Sequence, residues 1–425
     1  MKVARGVPPQ NQEGRMTPKS TVLPDMPLSP AILDILGRID ASAGTVDKAL
    51  SLPPECYTSE EWYEFERRAI FDREWLALGH TSFIPNPGDY FSITITDEPL
   101  LVVRGKDGVI RVLSAVCRHR GHLLGQQAGN ADGFTCPFHG WSYDLEGTLT
   151  SAPEMKGTLP FEELKRTQCL PSLRTDIWNG FIFVNFDGHA APLGPRLKVL
   201  GEQVKNHDMA NLVAPPTVDW TGNPWNWKFM QENALEPYHT HYLHAGPHDF
   251  APSRLASFFD WDETDDGAVF HPTGFLHLDG GFNASTKALL PTIPGLTDEE
   301  RQRVMFAAVL PNLFFGAQPD CVFFYLILPE SAGKITLRVG LLTTPANLSL
   351  PTAPLLLKST VDGISIFNDQ DVVANSQTHL GLKSRFAPRT RFAPKEQTLA
   401  QINSWLVKRY KAYADSLMPL SAAAE

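Results

Sequence analysis

The chain is poor in cysteine, with five in 425 residues, and the odd count argues against a complete disulfide framework. Long apolar runs are missing: nothing approaches the roughly 18 consecutive apolar residues of a membrane-spanning helix. The N-terminal stretch lacks the apolar core of a secretory signal, so a cytoplasmic protein is expected. Basic charge is also scarce. With 37 Lys and Arg against 47 Asp and Glu the net charge is −10. Nucleic acid and anionic membranes select basic surfaces, so neither is expected as a partner. No GxGxxG stands between a strand and a helix, so the chain is not expected to bind NAD(P)H itself. Internal repeats and low-complexity tracts are absent as well.

What remains is ordinary globular material, 43% hydrophobic and 20% charged, long enough for two or three domains. Residues 1–30 are rich in Pro, Gln, Lys and Ser and read as a flexible arm. "PAILDILGRI" shows helical spacing through Ile32, Ile35, Leu36 and Ile39. "TSEEWYEFERRAIFDREW" predicts a helix capped by Thr58 or Ser59. From Gly88 the texture becomes β-rich: "YFSITIT", "PLLVVRG" and "VIRVLSA", with "GKDG" marking a hairpin between the last two. "GFIFVNFD" reads as the closing strand of this small β domain, and "HAAPLGP" as a linker. Beyond it, "VFFYLILP" and "ITLRVGLLT" read as strands, followed by helices over 354–380 and 395–416. Strands followed by long helices predict an α+β fold with helices against an antiparallel sheet.

Two constellations carry chemistry. The first is "CRHRGHLLGQQAGNADGFTCPFHGW", which reads Cys117-x-His119, a gap of 16 residues, then Cys136-x-x-His139. Thiolates and neutral imidazoles suit soft or borderline metals. A zinc site of the Cys₂His₂ kind would have looser spacing and helical histidines, whereas these pairs lie in glycine-rich loops. The arrangement resembles a Rieske [2Fe–2S] centre, in which two cysteines hold one iron and two histidines the other. His122 reads as a loop residue beside the centre. Cys56, Cys169 and Cys321 read as small apolar fillers.

The second is "NWKFMQENALEPYHTHYLH", with Glu236 ahead of His239, His241 and His244. Two histidines and a carboxylate form the facial triad of mononuclear non-heme Fe(II). The step from His239 to His244 turns about 140° on a regular helix, so a distortion is needed, and Pro237 supplies one. His241 and His248 read as neighbours of the site or surface residues.

With these residues in view, the sequence resembles the catalytic α subunit of a Rieske non-heme iron oxygenase over roughly residues 55–415. The motif residues that match are Asn226, Trp227, Lys228, Asn233, Glu236, His239 and His244. The resemblance implies a small all-β Rieske [2Fe–2S] domain at 77–188 and a larger helix-grip catalytic domain at 189–425. Helices at 31–76 would pack on the latter. It implies a third iron ligand in "FNDQDVVANSQTHLGLKS", placed at Asp371 with Asp369 as the competitor. It implies a ring of three subunits in which Glu236 links His139 of one to His239 of the next. It also implies O₂ and a small organic substrate, and electrons from a separate NAD(P)H-dependent reductase, directly or through a ferredoxin. Glutamate at 236, where many ring-dihydroxylating members have aspartate, resembles the monooxygenases of quaternary amines; an aromatic-ring dioxygenase is the alternative. A pure electron carrier is the reading from another class. Phe314, Phe315, Phe323, Phe324 and Tyr325 are candidates for an aromatic cage.

Overall fold

The computed structural model describes residues 21–418. The expected arm therefore lies mostly outside the described residues. Its end, residues 21–29, departs from that expectation. The Thr21 hydroxyl donates to the Phe186 carbonyl, the Leu23 N–H donates to Asp72 at 2.7 Å, and Met26 and Leu28 pack on the main core. Met26 and Leu28, with these two hydrogen bonds, anchor it. Among the described residues no helix is long and apolar enough to cross a membrane.

Among the described residues, sixteen strands form three sheets, all paired antiparallel. In chain order they are β1 (Leu76–His80), β2 (Asp89–Ile95), β3 (Glu98–Arg104), β4 (Ile110–Ser114), β5 (Ala128–Asn130), β6 (Phe134–Thr135), β7 (Ser142–Tyr143) and β8 (Leu149–Ser151). There follow β9 (Ser172–Trp178), β10 (Phe181–Asn185), β11 (Val218–Asn223), β12 (Ala268–Gly274), β13 (Arg303–Val309), β14 (Leu313–Ala317), β15 (Val322–Ser331) and β16 (Lys334–Leu342). The sheets run β1-β10-β9-β4-β3-β2-β5, β6-β7-β8 and β11-β16-β15-β14-β13-β12. The hairpin expected at "GKDG" joins β3 to β4, with Arg104 opposite Ile110 and Gly108 at φ +79°, a conformation glycine adopts without a Cβ clash.

Strand alternation explains why "PLLVVRG" is continuously apolar. Leu100 and Val102 enter the large core, whereas Leu101 and Val103 enter a second core with Leu113, Cys117, Cys136, Trp141 and Tyr143. That second core holds both candidate cysteines. "GFIFVNFD" joins the same sheet as β10, but between β1 and β9 with β1 at the edge, and all four residues Phe181–Val184 pack into the large core.

The two late helices span Ala353–Leu382 and Gln397–Leu417. Ser59 caps the helix Glu60–Glu66 by accepting from the Trp62 N–H. The "NWK" residues lie under the second constellation as a buried network. Lys228 Nζ stands 2.7 Å from Glu66 and donates to the Cys56 carbonyl at 2.8 Å. The Trp227 indole donates to the other Glu66 oxygen at 2.9 Å, and the Tyr410 hydroxyl also donates to Glu66. Three helices are thereby pinned together at one carboxylate. Lys228→Met leaves Glu66 buried without its counter-charge, and chemical denaturation is expected to show a loss of about 3–5 kcal/mol. Adding Glu66→Gln should restore part of it. A loss under about 1 kcal/mol in the single variant would show the pair to be dispensable.

Candidate metal centres

The four residues of the first constellation project from two loops at one end of the second core. Cys117 and His119 follow β4. Cys136 and His139 lie in the turn between β6 and β7. Backbone bonds shape each loop: Cys117 N–H to the His122 carbonyl at 2.9 Å, Gly121 N–H to the Cys117 carbonyl at 3.0 Å, and Gly140 N–H to the Cys136 carbonyl at 2.9 Å. Gly121 and Gly140 take φ of +78° and +72°, which turns each chain back on its cysteine without side-chain strain. Both thiols are buried and free of disulfides, His119 is half-buried and His139 is exposed. The imidazole rings lie 4.5 Å apart at 80°. Trp141 stacks on His119 at 4.9 Å, and the Tyr143 hydroxyl lies 3.4 Å from Cys117 Sγ. His119 Nδ1 is buried with no hydrogen-bond partner. An orphaned lone pair beside two buried thiols fits a bound iron–sulfur cluster, with sulfur ligands inside and imidazoles at the surface. His122 turns away: its Nδ1 lies 2.7 Å from the Leu123 carbonyl.

The second constellation is assembled by a break in a helix. The helix Lys228–Leu235 ends at Glu236, which is extended, and after Pro237 one turn spans Thr240–Leu243 between His239 and His244. This supplies the distortion expected from Pro237. From across the cavity the helix Ala353–Leu382 presents Ile364, Phe367, Asn368 and Asp371 on one face, a 3.6-residue periodicity. His239 Nε2 and His244 Nε2 are 3.1 Å apart, and Asp371 Oδ1 lies 3.2 Å from His244 Nε2 and 3.8 Å from His239 Nε2. Among the described residues, these are the one group of three potential ligands whose donor atoms all fall within 4.8 Å. Asp369 is exposed.

The outer ring nitrogens are already engaged. His239 Nδ1 meets Glu236 Oε1 at 2.6 Å, and His244 Nδ1 meets Gln370 Oε1 at 2.7 Å. Each acceptor fixes the proton on Nδ1 and leaves an Nε2 lone pair facing the other. Two lone pairs and a carboxylate converging at these distances fit a cation. Ligands at right angles about 2.1 Å from an ion stand about 3.0 Å apart. Glu236 Oε2 accepts from the Tyr238 and His239 N–H groups at 2.6 and 3.0 Å, and Asn233 Nδ2 donates to Asp371 Oδ1 at 3.2 Å. Burial works to lower the His239 pKa, but the Glu236 hydrogen bond and charge, with Asp371, raise it overall. Gln370 had no sequence signal beyond standing next to Asp371.

The triad faces a cavity, open at its mouth and lined by Phe282, Phe306, Phe314, Phe323, Phe367 and Tyr325 among others. Of the five cage candidates, Phe314, Phe323 and Tyr325 reach it. Phe315 and Phe324 point to the opposite face, against Phe181. Gly316 makes room for Phe323: a Cβ there would lie 2.1 Å from the ring. His248 is buried, stacks on His244 at 6.0 Å and lines the cavity, while His241 is exposed.

Comparison with known proteins adds family and fold. A Rieske [2Fe–2S] domain profile matches residues 74–171, and the profile for the ring hydroxylating alpha subunit catalytic domain matches residues 204–412. The biphenyl 2,3-dioxygenase subunit alpha of Rhodococcus jostii is 35% identical over 241 residues, 53% of this chain and 48% of that one. The carnitine monooxygenase oxygenase subunit of Acinetobacter pittii is 31% identical over 262 residues, 60% of this chain and 65% of that one. The chain thus spans about half the length of the dioxygenase subunits it matches. Two solved structures share the fold at 21% identity. Naphthalene 1,2-dioxygenase from Rhodococcus sp. has a TM-score of 0.75 over 92% of this chain and 100% of its own. A quaternary ammonium Rieske monooxygenase with L-carnitine has 0.70 over 91% and 100%.

Proposed function

The chain belongs to the Rieske non-heme iron oxygenases, and from that premise we propose that it is the terminal oxygenase of an electron-transfer system, hydroxylating a small organic substrate. The observation that carries the proposal is the convergence of His239, His244 and Asp371 at the floor of an aromatic cavity. Cys117, His119, Cys136 and His139 hold the [2Fe–2S] cluster, and the triad holds the mononuclear iron. When bound, these groups supply stored electrons and an iron with open positions for O₂.

The chain's own residues do the rest. Glu236 and Gln370 orient the two imidazoles, and Asn233 steadies Asp371. The phenylalanine walls exclude water and hold the substrate over the triad. Exposed His139 is the outlet of the small β domain, and Glu236 links His239 to His139 of a neighbouring copy in a homotrimer. The Rieske domain spans 77–188, the catalytic domain spans 189–425, and the helices of 31–76 pack on the latter. The protein works in the cytoplasm, and a separate NAD(P)H-dependent reductase, directly or through a ferredoxin, feeds it.

Monooxygenation of a quaternary amine is the main reading. It is supported by the glutamate at 236 and by Phe314, Phe323 and Tyr325, whose faces suit a trimethylammonium group. Ring hydroxylation of an arene is the second reading, favoured by the phenylalanine-rich lining of Phe282, Phe306, Phe314, Phe323 and Phe367. With a compatible reductase, product mass over a trimethylammonium panel and an arene panel decides between them. Oxygenated product from the first panel supports the main reading, and product from the second alone replaces it. No product from either, with both centres loaded, would leave an electron carrier.

A further inference from the structure

The cavity contains a polar pair that neither metal centre uses. His271 and Thr273 stand two residues apart on β12, so both side chains leave the same face of the sheet. Both line the cavity and both are 1% exposed. In sheet order β12 lies three strands from Tyr325 on β15, whose hydroxyl accepts from Asn368 on the long helix at 2.8 Å. The pair therefore sits at the end of the aromatic wall away from the Asn368–Asp371 face.

Its surroundings are apolar. The rings of Phe258 and Phe306 lie 5.5 and 5.6 Å from the His271 ring. Among the described residues, His271 Nδ1 has two contacts, both at 3.4 Å, with the Pro272 carbonyl and the Thr273 hydroxyl. Those are at the outer limit of a hydrogen bond. Among the described residues Nε2 has no hydrogen-bond partner, and the Thr273 hydroxyl has no other. An imidazole and a hydroxyl buried among phenylalanines and left half-satisfied carry a desolvation cost, which a ligand that bonds to them removes. Burial also pushes the His271 pKa down to about 4, so the ring is neutral near pH 7. One tautomer donates through Nε2–H while Thr273 donates to Nδ1. The other accepts at Nε2 while Nδ1–H turns to the Pro272 carbonyl.

We propose that His271 and Thr273 read an uncharged hydrogen-bonding group on the substrate, such as a hydroxyl, carbonyl or ring N–H, and thereby select among the molecules that the cavity admits. The same lining offers no Lys or Arg to pair a substrate carboxylate, so carboxylate-bearing molecules are selected against. This inference rests on the proposed function in taking the cavity as the substrate site and, for its probes, on the second, arene reading.

The test is equilibrium binding to the iron-loaded protein, kept anaerobic, with naphthalene and 2-naphthol as a pair differing by one hydroxyl and L-carnitine as the carboxylate probe. Wild type is expected to bind 2-naphthol about tenfold or more tighter than naphthalene, and L-carnitine more weakly than either. His271→Phe and Thr273→Val should each bring the naphthol-to-naphthalene ratio towards one, with naphthalene affinity held within about threefold. Retained naphthalene affinity also certifies that the variants fold. A wild-type ratio near one, a ratio unchanged in both variants, failure of both aromatic probes to bind, or L-carnitine binding as tightly as 2-naphthol would overturn the proposal. Oxygen consumption measured in parallel separates the two claims. Lack of turnover with an intact binding ratio counts against the oxygenase reading alone.

Discussion

Asp371→Ala is expected to abolish oxygenation and to lower iron from about three to about two per chain, while the absorption of the iron–sulfur cluster stays unchanged. The argument is geometric. Among the described residues, Asp371 Oδ1 is the carboxylate oxygen placed beside both rings, 3.2 Å from His244 Nε2 and 3.8 Å from His239 Nε2. Without it two neutral imidazoles remain, too few donors and no negative charge to hold Fe(II) against water. Asp369 stands two residues away on the same helix but on its exposed side, so it cannot substitute without unwinding the turn. Asp369→Ala should accordingly retain both metals and activity. Iron content by elemental analysis and substrate-dependent O₂ uptake check both variants. Full iron and activity in Asp371→Ala, with loss in Asp369→Ala, would move the ligand by two residues.

The second large effect is expected at Glu236. Its two oxygens serve three donors: His239 Nδ1–H at 2.6 Å, and the Tyr238 and His239 N–H groups at 2.6 and 3.0 Å. A glutamine has one acceptor oxygen in place of two and no charge. Either the ring or the backbone pair loses its partner, and the imidazole loses basicity. Losing such a partner commonly costs about 10–100-fold. Here the same carboxylate is also proposed to meet His139 of a neighbouring copy, so reoxidation of reduced Glu236→Gln protein by O₂ with substrate should slow by about 100-fold or more. Both centres should still load, and reduction by the reductase should be normal. Loss of mononuclear iron from Glu236→Gln, with a normal reoxidation rate once iron is restored, would instead make Glu236 a structural support.

Some of this was legible in the sequence and some was not, for identifiable reasons. The late helices expected over 354–380 and 395–416 lie within three residues of the observed ends. The Cys-x-His and Cys-x-x-His loops were legible because metal donors of those types rarely crowd by chance. Strand parity was harder. "VFFYLILP" reads as one apolar run, yet Phe323 and Tyr325 enter the cavity while Phe324 packs against Phe181 and Phe83. Which parity faces the site depends on the neighbouring strands. β12 carries Pro272 and β14 has five residues centred on Phe315, so neither stood out as a strand. Without them the cavity wall and His271 were out of reach. Pairings across long sequence separation, such as Gln370 with His244 or Asn368 with Tyr325, have no local signal. The anchoring of residues 21–29 was missed because Val22, Leu23, Met26 and Leu28 follow neither helical nor strand spacing.

The central claim is that one chain carries both iron centres, and the most direct measurement is iron and acid-labile sulfide content together with EPR of the anaerobically reconstituted protein. The expected result is about three irons and two sulfides per chain, with a reduced-state signal of low average g from a cluster whose second iron has imidazole ligands. On adding nitric oxide, a separate high-spin signal from the triad iron should appear, and Asp371→Ala should lack it. A colourless protein that takes up zinc in place of iron would contradict the claim at its root. Two irons per chain with no nitrosyl signal would contradict its catalytic half.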